Sequence, residues 1–520
     1  MSIEKIKRAW EKSLPKKNEV VPMESVFQNE TVREILTRYR RIWAIGHAQS
    51  VLGWDMEVNM PKEGILERSV AQGELSVLSQ EFLLKPEFVE LVEKAKSIEG
   101  LNEYERGVVR VLDRSIRISR SFPPEFLREM SEVTSQATKA WEEAKKSDDF
   151  SKFEPWLDRI IDLAKRAADY LGYEDEPYDA LLDMFEEGLT TREVERMFSK
   201  LEKELKPLLE RIMEEGKVPQ SHPLEKERYE REWMEKVNLW ILQKFGYPLG
   251  IRARLDVSAH PFTTEFGIRD VRITTRYEGY DFRRTILSTV HEFGHALYEL
   301  QQDERFMFSP IAGGVSLGIH ESQSRFWENI VGRSREFAEL IHPVLGENLP
   351  FMADYTPEDV YLYFNMVRPD FIRTESDVVT YNFHILLRFK LERMMLNEGV
   401  KAKDLPELWN DEMENLLGIR PKSYVEGILQ DIHWAHGTVG YFPTYSIGTL
   451  LAAQFYYHMK RDLNVEEHIA NADFGPIKAW LREKVHRYGS IYPPKELLKK
   501  SIGEELNPDY FIRWVKERYL

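Results

Sequence analysis

The chain has 520 residues, 42% hydrophobic and 31% charged, the balance of a folded, water-soluble protein rather than a disordered or membrane-embedded one. Its 88 acidic and 72 basic residues give a formal net charge of −16, and without a basic cluster the chain is a poor candidate for nucleic-acid binding. It has no cysteine, which removes disulfides, thiolate metal sites and cysteine nucleophiles, so a transition metal would have to be held by His, Asp or Glu.

The opening segment MSIEKIKRAWEKSLPKKNEV scatters its charges and lacks the apolar run of a secretion signal, so a cytoplasmic protein is expected. Residues 1–25 read as an N-terminal extension and 26–520 as a single, two-lobed helical domain, since no linker, repeat or low-complexity tract divides them. Apolar residues recur at helical spacing over 30–55, 105–119 and 150–172. The segment 190–216 reads as a helix capped by Thr191 and stopped by Gly216, with Leu201, Leu205, Leu208 and Leu209 along a stripe that faces the core. Between 250 and 280 the pattern changes to β-branched alternation with turn residues between, the signature of a small hairpin. The apolar run at 447–459 is too short to span a bilayer and reads as a buried helix.

Directly after the hairpin comes LSTVHEFGHALYE (287–299). On a helix, His291 and His295 lie about 40° apart around the axis and about 6 Å apart along it, so both imidazoles can approach one ion. Glu292 projects about 100° away from His291, beside the ion rather than onto it, where a base acting on water belongs. Ile286, Phe293, Leu297 and Leu300 fall on the opposite face and would anchor the helix. Two histidines are not enough, because a catalytic site of this kind needs a third protein ligand and one open position. Glu299 lies about 12 Å along the axis from His291, out of reach of the same ion. Glu321, in the next helical segment IHESQSRFWENIVG, can return against the pair, while His320 points about 100° elsewhere. The competing reading of Glu321 is an ion pair with Arg325 one turn on.

Six motifs in order, HPF (260–262), DVRIT (270–274), HEFGH (291–295), HESQ (320–323), IRTESD (372–377) and GILQDIHW (427–434), resemble the thermostable M32 metallocarboxypeptidases, the Taq and Pfu carboxypeptidase family. The likeness runs from about residue 28 to the end, and Ser376 stands where many members have alanine. The resemblance implies His291, His295 and Glu321 as ligands of one divalent ion per subunit, zinc first and cobalt as the alternative, with Glu292 as catalytic base. It also implies a mostly helical fold around a deep substrate cleft, like that of neurolysin and angiotensin-converting enzyme, and a homodimer. The expected activity is release of single C-terminal residues from peptides with a free C-terminus, with broad preference and poor action on proline. An endo-acting oligopeptidase with the same ion, and a catalytically silent helical protein that keeps a structural ion, are the alternatives.

Further residues are expected around that centre. His260, Pro261, Phe262 and Arg272 would line the cleft, and a neighbouring His433, Tyr441 or Tyr445 would complete the oxyanion site. A substrate carboxylate calls for arginine's planar fork, for which Arg373 and then Arg420 are candidates. Asp431 and Asp270 would orient neighbours from behind. Structural roles are open for several of these: Arg373 paired with Glu375 or Asp377, Asp270 with Arg272 across the hairpin, and His433 simply hydrogen-bonded in place.

Overall fold

The computed structural model describes residues 26–520. The reading of 1–25 as an extension lies outside the described residues. Helices dominate, and those that bear on the site are numbered here in chain order: α1 (Glu30–Val58), α2 (Ile65–Leu83), α3 (Thr191–Glu215), α4 (Phe282–Leu300), α5 (Leu317–Arg325), α6 (Tyr381–Arg393) and α7 (Pro443–Met459). Buried apolar side chains from Val26 to Tyr519 form one connected core. No described helix is long and apolar enough to cross a membrane.

The helical periodicities are realised with small shifts. The N-cap of α3 is Thr190 rather than Thr191, because Thr190 and Glu193 close a reciprocal capping box. Gly216, at φ 66°, ends the helix in the left-handed region, and all four stripe leucines are buried.

The 250–280 region is a three-stranded sheet, not the two-segment hairpin expected. Strands β1 (Ala253–Val257), β2 (Thr263–Gly267) and β3 (Asp270–Thr275) lie in the order β1-β3-β2. β3 pairs antiparallel with β2 through the 267–270 turn and parallel with β1. The hairpin partner of DVRIT is therefore TTEFG, five residues with too little apolar alternation to stand out, and RLDV runs alongside in the other direction from that expected. β2 is left as an edge strand.

The sheet packs on α4, and two glycines set how closely the helices behind it approach. A Cβ on Gly294 would lie 2.5 Å from the Gln323 carbonyl oxygen and 2.6 Å from Ser324 Cα, so only glycine lets α4 touch the backbone of α5. A Cβ on Gly448 would lie 2.4 Å from Glu321 Cγ, so α7 closes on α5 from the other side. The packing of three helices thus converges on Glu321. Beyond Arg325, α5 continues as a π-helical turn over Phe326–Val331, in which every residue is buried.

Candidate metal centre

His291 and His295 project from α4 with side chains 19% exposed, and Glu321 comes down from α5 with 8% exposed. Ile286, Phe293, Leu297 and Leu300 are buried on the far side. Glu321 Oε2 stands 3.6 Å from His291 Nε2 and 3.4 Å from His295 Nε2. Two ligand atoms each about 2.1 Å from one tetrahedral ion lie roughly 3.4 Å from each other. The three side chains form a candidate metal group with all ligand atoms within 4.8 Å of one another.

The proton arrangement fits the same reading. His291 turns Nδ1 to Glu328 Oε2 at 2.8 Å, and His295 turns Nδ1 to His320 Nδ1 at 2.6 Å, so in both rings the nitrogen free to hold an ion is Nε2. Burial pushes His295 down to about 3, keeping it neutral as a ligand must be. Burial lowers His291 as well, but Glu321 and Glu328 outweigh it and carry the group upward, the sign of a pocket rich in negative charge that suits a divalent cation.

Glu321 uses its two oxygens differently. Oε1 accepts from Arg325 Nε at 2.7 Å, whereas Oε2 faces both imidazoles and accepts from Ser324 Oγ at 3.0 Å. The ion-pair reading and the ligand reading are therefore both satisfied. Burial alone would raise this carboxyl; Arg325 and the imidazoles hold it well below the usual range. Arg325 also reaches Glu328 at 3.1 Å, and despite burial Arg325 and His291 bring Glu328 down to about 2.

Glu292 faces β2 beside the histidines. Thr263 donates its hydroxyl to Glu292 Oε2 at 2.6 Å, fixing one oxygen and leaving the other. Burial raises this carboxyl against the opposing pull of His291 and Thr263. Thr263 is placed by the two motifs that flank β2: Thr274 Oγ1 accepts from the Phe262 amide at 2.9 Å and bonds Ser258 Oγ at 2.6 Å, and the Thr274 amide donates to the Phe262 carbonyl. Glu265, two residues on, is exposed by surface area, yet its carboxyl is pushed up to about 7, first by loss of hydration and then by Glu299.

A second group gathers around Asp431. Arg373 gives Nε and Nη2 to Asp431 Oδ1 at 3.1 and 2.8 Å, and Nη1 to the Tyr381 hydroxyl at 2.8 Å. Arg388 from α6 gives Nε to Asp431 Oδ2 at 2.7 Å. Arg373 thus pairs with neither Glu375 nor Asp377. His433 Nε2 lies 3.3 Å from the Tyr445 hydroxyl, and its ring lies tilted against Tyr441 with centroids 5.5 Å apart. Burial, with help from Arg373 and Arg388, pushes His433 down to about 4, while burial raises Tyr441 and Tyr445, so all three are neutral near pH 7. Arg325, over the ring of Tyr381 at 4.6 Å, joins this group to the metal ligands.

Other expected residues lie elsewhere. Arg420 is turned to Glu407, Asp411 and Glu414 at the surface, so its fork is engaged by protein carboxylates. Asp270 and Arg272 pair with each other along β3 at 2.7 and 2.9 Å, not across the hairpin, and Arg272 stacks over Trp54 of α1 and Phe266. His260 is exposed, with Pro261 and Phe262 half-buried beside it. Sequence reasoning missed Glu328 and Thr263. Glu328 is seven residues beyond Glu321, two helical turns and hence the same face, a spacing that marks it; Thr263 carries no such signal.

A His-Glu-x-x-His helix completed by a carboxylate from the following helix defines a metallopeptidase of the two-histidine, one-glutamate class. The family model for carboxypeptidase Taq (M32) metallopeptidases matches residues 34–519, and the chain belongs to that family, the metal-dependent carboxypeptidases. Thermostable carboxypeptidase 1 of Pyrococcus furiosus is 82% identical over 499 residues, covering 96% of this chain and all of that protein. Carboxypeptidase 1 of Bacillus subtilis is 36% identical over 490 residues, 94% of this chain and 97% of its own. The solved structure of the P. furiosus carboxypeptidase superimposes with a TM-score of 0.95, covering 95% of this chain and 100% of that one. Metallocarboxypeptidase 1 of Trypanosoma cruzi, 31% identical, superimposes at 0.90 over 94% of this chain and 99% of its own.

Proposed function

We propose that the chain removes single amino acids from the free C-terminus of peptides, with one divalent ion, zinc first and cobalt as the alternative, on His291, His295 and Glu321. The observation that carries this reading is one carboxylate oxygen within 3.6 Å of two imidazole nitrogens, beside a buried glutamate that is not a ligand. When bound, the ion supplies Lewis acidity, lowering the pKa of water and polarising the scissile carbonyl. Glu292, with Oε2 tied to Thr263, takes the proton from the attacking water on its other oxygen and hands it to the departing amine. His433, Tyr441 and Tyr445, neutral donors, stabilise the oxyanion.

The Arg373 group supports an exo-acting reading. Two guanidiniums share one carboxylate, Asp431, which leaves that wall with a surplus positive charge for the substrate's terminal carboxylate. Arg373 acts there by charge rather than by an open fork, since its nitrogens are engaged within the protein. Extended substrate backbone is offered the edge of β2, beside Pro261 and Phe262. Glu292→Gln should keep its metal and lose about 10²–10⁴-fold in turnover. A peptide with an amidated C-terminus should resist the wild-type enzyme. Internal cleavage of that peptide would favour the endo-acting reading, and turnover by the Gln variant at the wild-type rate would remove Glu292 from the chemistry.

The homodimer is proposed on α2. No residue of this helix is buried, and Ile65, Leu66, Val70 and Val77 are 49–73% exposed, an apolar face that a second copy would cover. Leu66→Asp should shift the protein from dimer to monomer in light scattering; an undisturbed dimer would move the interface elsewhere.

A further inference from the structure

The two ligand histidines are held from behind by different devices. His291 meets a carboxylate directly, Glu328 at 2.8 Å. His295 meets another imidazole: its Nδ1 lies 2.6 Å from His320 Nδ1, and His320 Nε2 lies 2.8 Å from Glu299 Oε1. We propose that His320 and Glu299 are positioning residues for the metal ligand His295, a two-step chain that fixes its tautomer and ring orientation. The proposal rests on the metal-site reading above.

Proton counting supports it. An ion on His295 Nε2 requires a lone pair there, which puts the ring proton on Nδ1. At 2.6 Å that proton needs an acceptor, so His320 must present a bare Nδ1 and carry its own proton on Nε2, where Glu299 receives it. The chain has one consistent direction, from His295 to Glu299. Glu299 is fixed in turn: Oε1 also accepts from the Gly314 amide at 2.9 Å and Oε2 from Gln302 Nε2 at 2.6 Å. The rings of Tyr298 and His295 flank His320 at 5.1 and 4.8 Å, and a Cβ on Gly314 would lie 2.5 Å from its Cδ2, so the imidazole is gripped on several sides. Glu299 is thus unsuited as a ligand for the reason of reach given above, and suited to this role because it is two turns along the same helix from His291 and one from His295.

The test uses the full-length protein, stripped of metal, with zinc affinity measured by competition against a chromophoric chelator and folding followed by circular dichroism. His320→Ala should bind zinc about 10–100-fold more weakly. His320→Asn sets an amide oxygen near the position of Nδ1 and should recover affinity to within about threefold of wild type, while His320→Gln extends toward Glu299, leaves His295 without its acceptor, and should not recover it. Visible absorption of the cobalt-loaded proteins should change in His320→Ala and return in His320→Asn. Glu299→Gln, which keeps the side-chain volume, gives a smaller weakening of the same sign and serves if His320→Ala does not fold. Affinities all within about twofold, or recovery by Gln and not by Asn, would overturn the proposal, since a filling or tethering role is the one that Gln restores. Absence of zinc binding by the wild type would instead strike the metal-site reading.

Discussion

The His291–His295–Glu321 group and the Arg373–Asp431–Arg388 group are linked through Tyr381, whose ring carries Arg325 at 4.6 Å and Arg373 at 5.8 Å, and are built with opposite charge imbalance. In the first, Glu292, Glu321 and Glu328 crowd a pair of imidazoles, with Arg325 bridging Glu321 and Glu328 and Arg333 on the other oxygen of Glu328, so three carboxyls meet two guanidiniums. In the second, one carboxylate serves two guanidiniums. Each group is therefore incomplete in charge as the protein alone presents it, one suited to a cation and the other to an anion. The difference teaches that burial and pairing do not decide role by themselves. Asp431, half-buried, and Glu321, buried, are both carboxylates held far below their ordinary range against the cost of lost hydration, yet one anchors arginines and the other is turned toward imidazole lone pairs.

The comparison can be broken most sharply at Asp431. Asp431→Asn leaves Arg373 and Arg388 without their shared acid, and a buried pair broken from one side costs about 3–5 kcal/mol. Chemical denaturation should show a loss of that size, with metal content unchanged; a loss below about 1 kcal/mol would mean that the two guanidiniums are less dependent on Asp431 than their contacts indicate. A smaller effect lies behind the same wall, at Glu392 of α6. Its carboxyl accepts from the Tyr178 hydroxyl at 2.6 Å, Trp434 Nε1 at 2.8 Å and the Gly440 amide at 3.1 Å, so it pins the loop that leads from His433 to Tyr441. Burial raises it to about 7 in spite of those donors. Because the folded value lies above the ordinary carboxylate value, its stabilising contribution is complete below about pH 4.5 and is lost as pH rises through 7. The wild type should therefore gain in melting temperature relative to Glu392→Gln on going from pH 8 to pH 6. A difference that does not vary with pH would show that the carboxyl titrates normally.

The metal group was far more legible in the sequence than the arginine group, for a geometric reason. His291, Glu292 and His295 lie within five residues of one helix, where 100° per residue fixes their directions. Glu321 needed only one loop and a returning helix. Arg373 and Asp431, by contrast, are 58 residues apart, and no periodicity specifies that they meet. The local candidates Glu375 and Asp377 were the natural pairing for Arg373, and tertiary packing chose neither. The angular offset of His320 from Glu321 argues against its being a ligand and says nothing of what stands behind a ligand. The hairpin was misread because β-branched alternation reports strand character but not partner or direction, and β2 is short and polar. Gly294, in the middle of the motif, was legible as a residue and not as a contact, since its reason is the backbone of α5.

The central claim is that His291, His295 and Glu321 together hold a single divalent ion. Equilibrium dialysis against zinc followed by elemental analysis, on the wild type and on Glu321→Ala, tests it most directly. The wild type should bind about one ion per chain, and the variant should bind it at least about 100-fold more weakly, with both proteins folded. A Glu321→Ala protein that keeps its ion with wild-type affinity would contradict it.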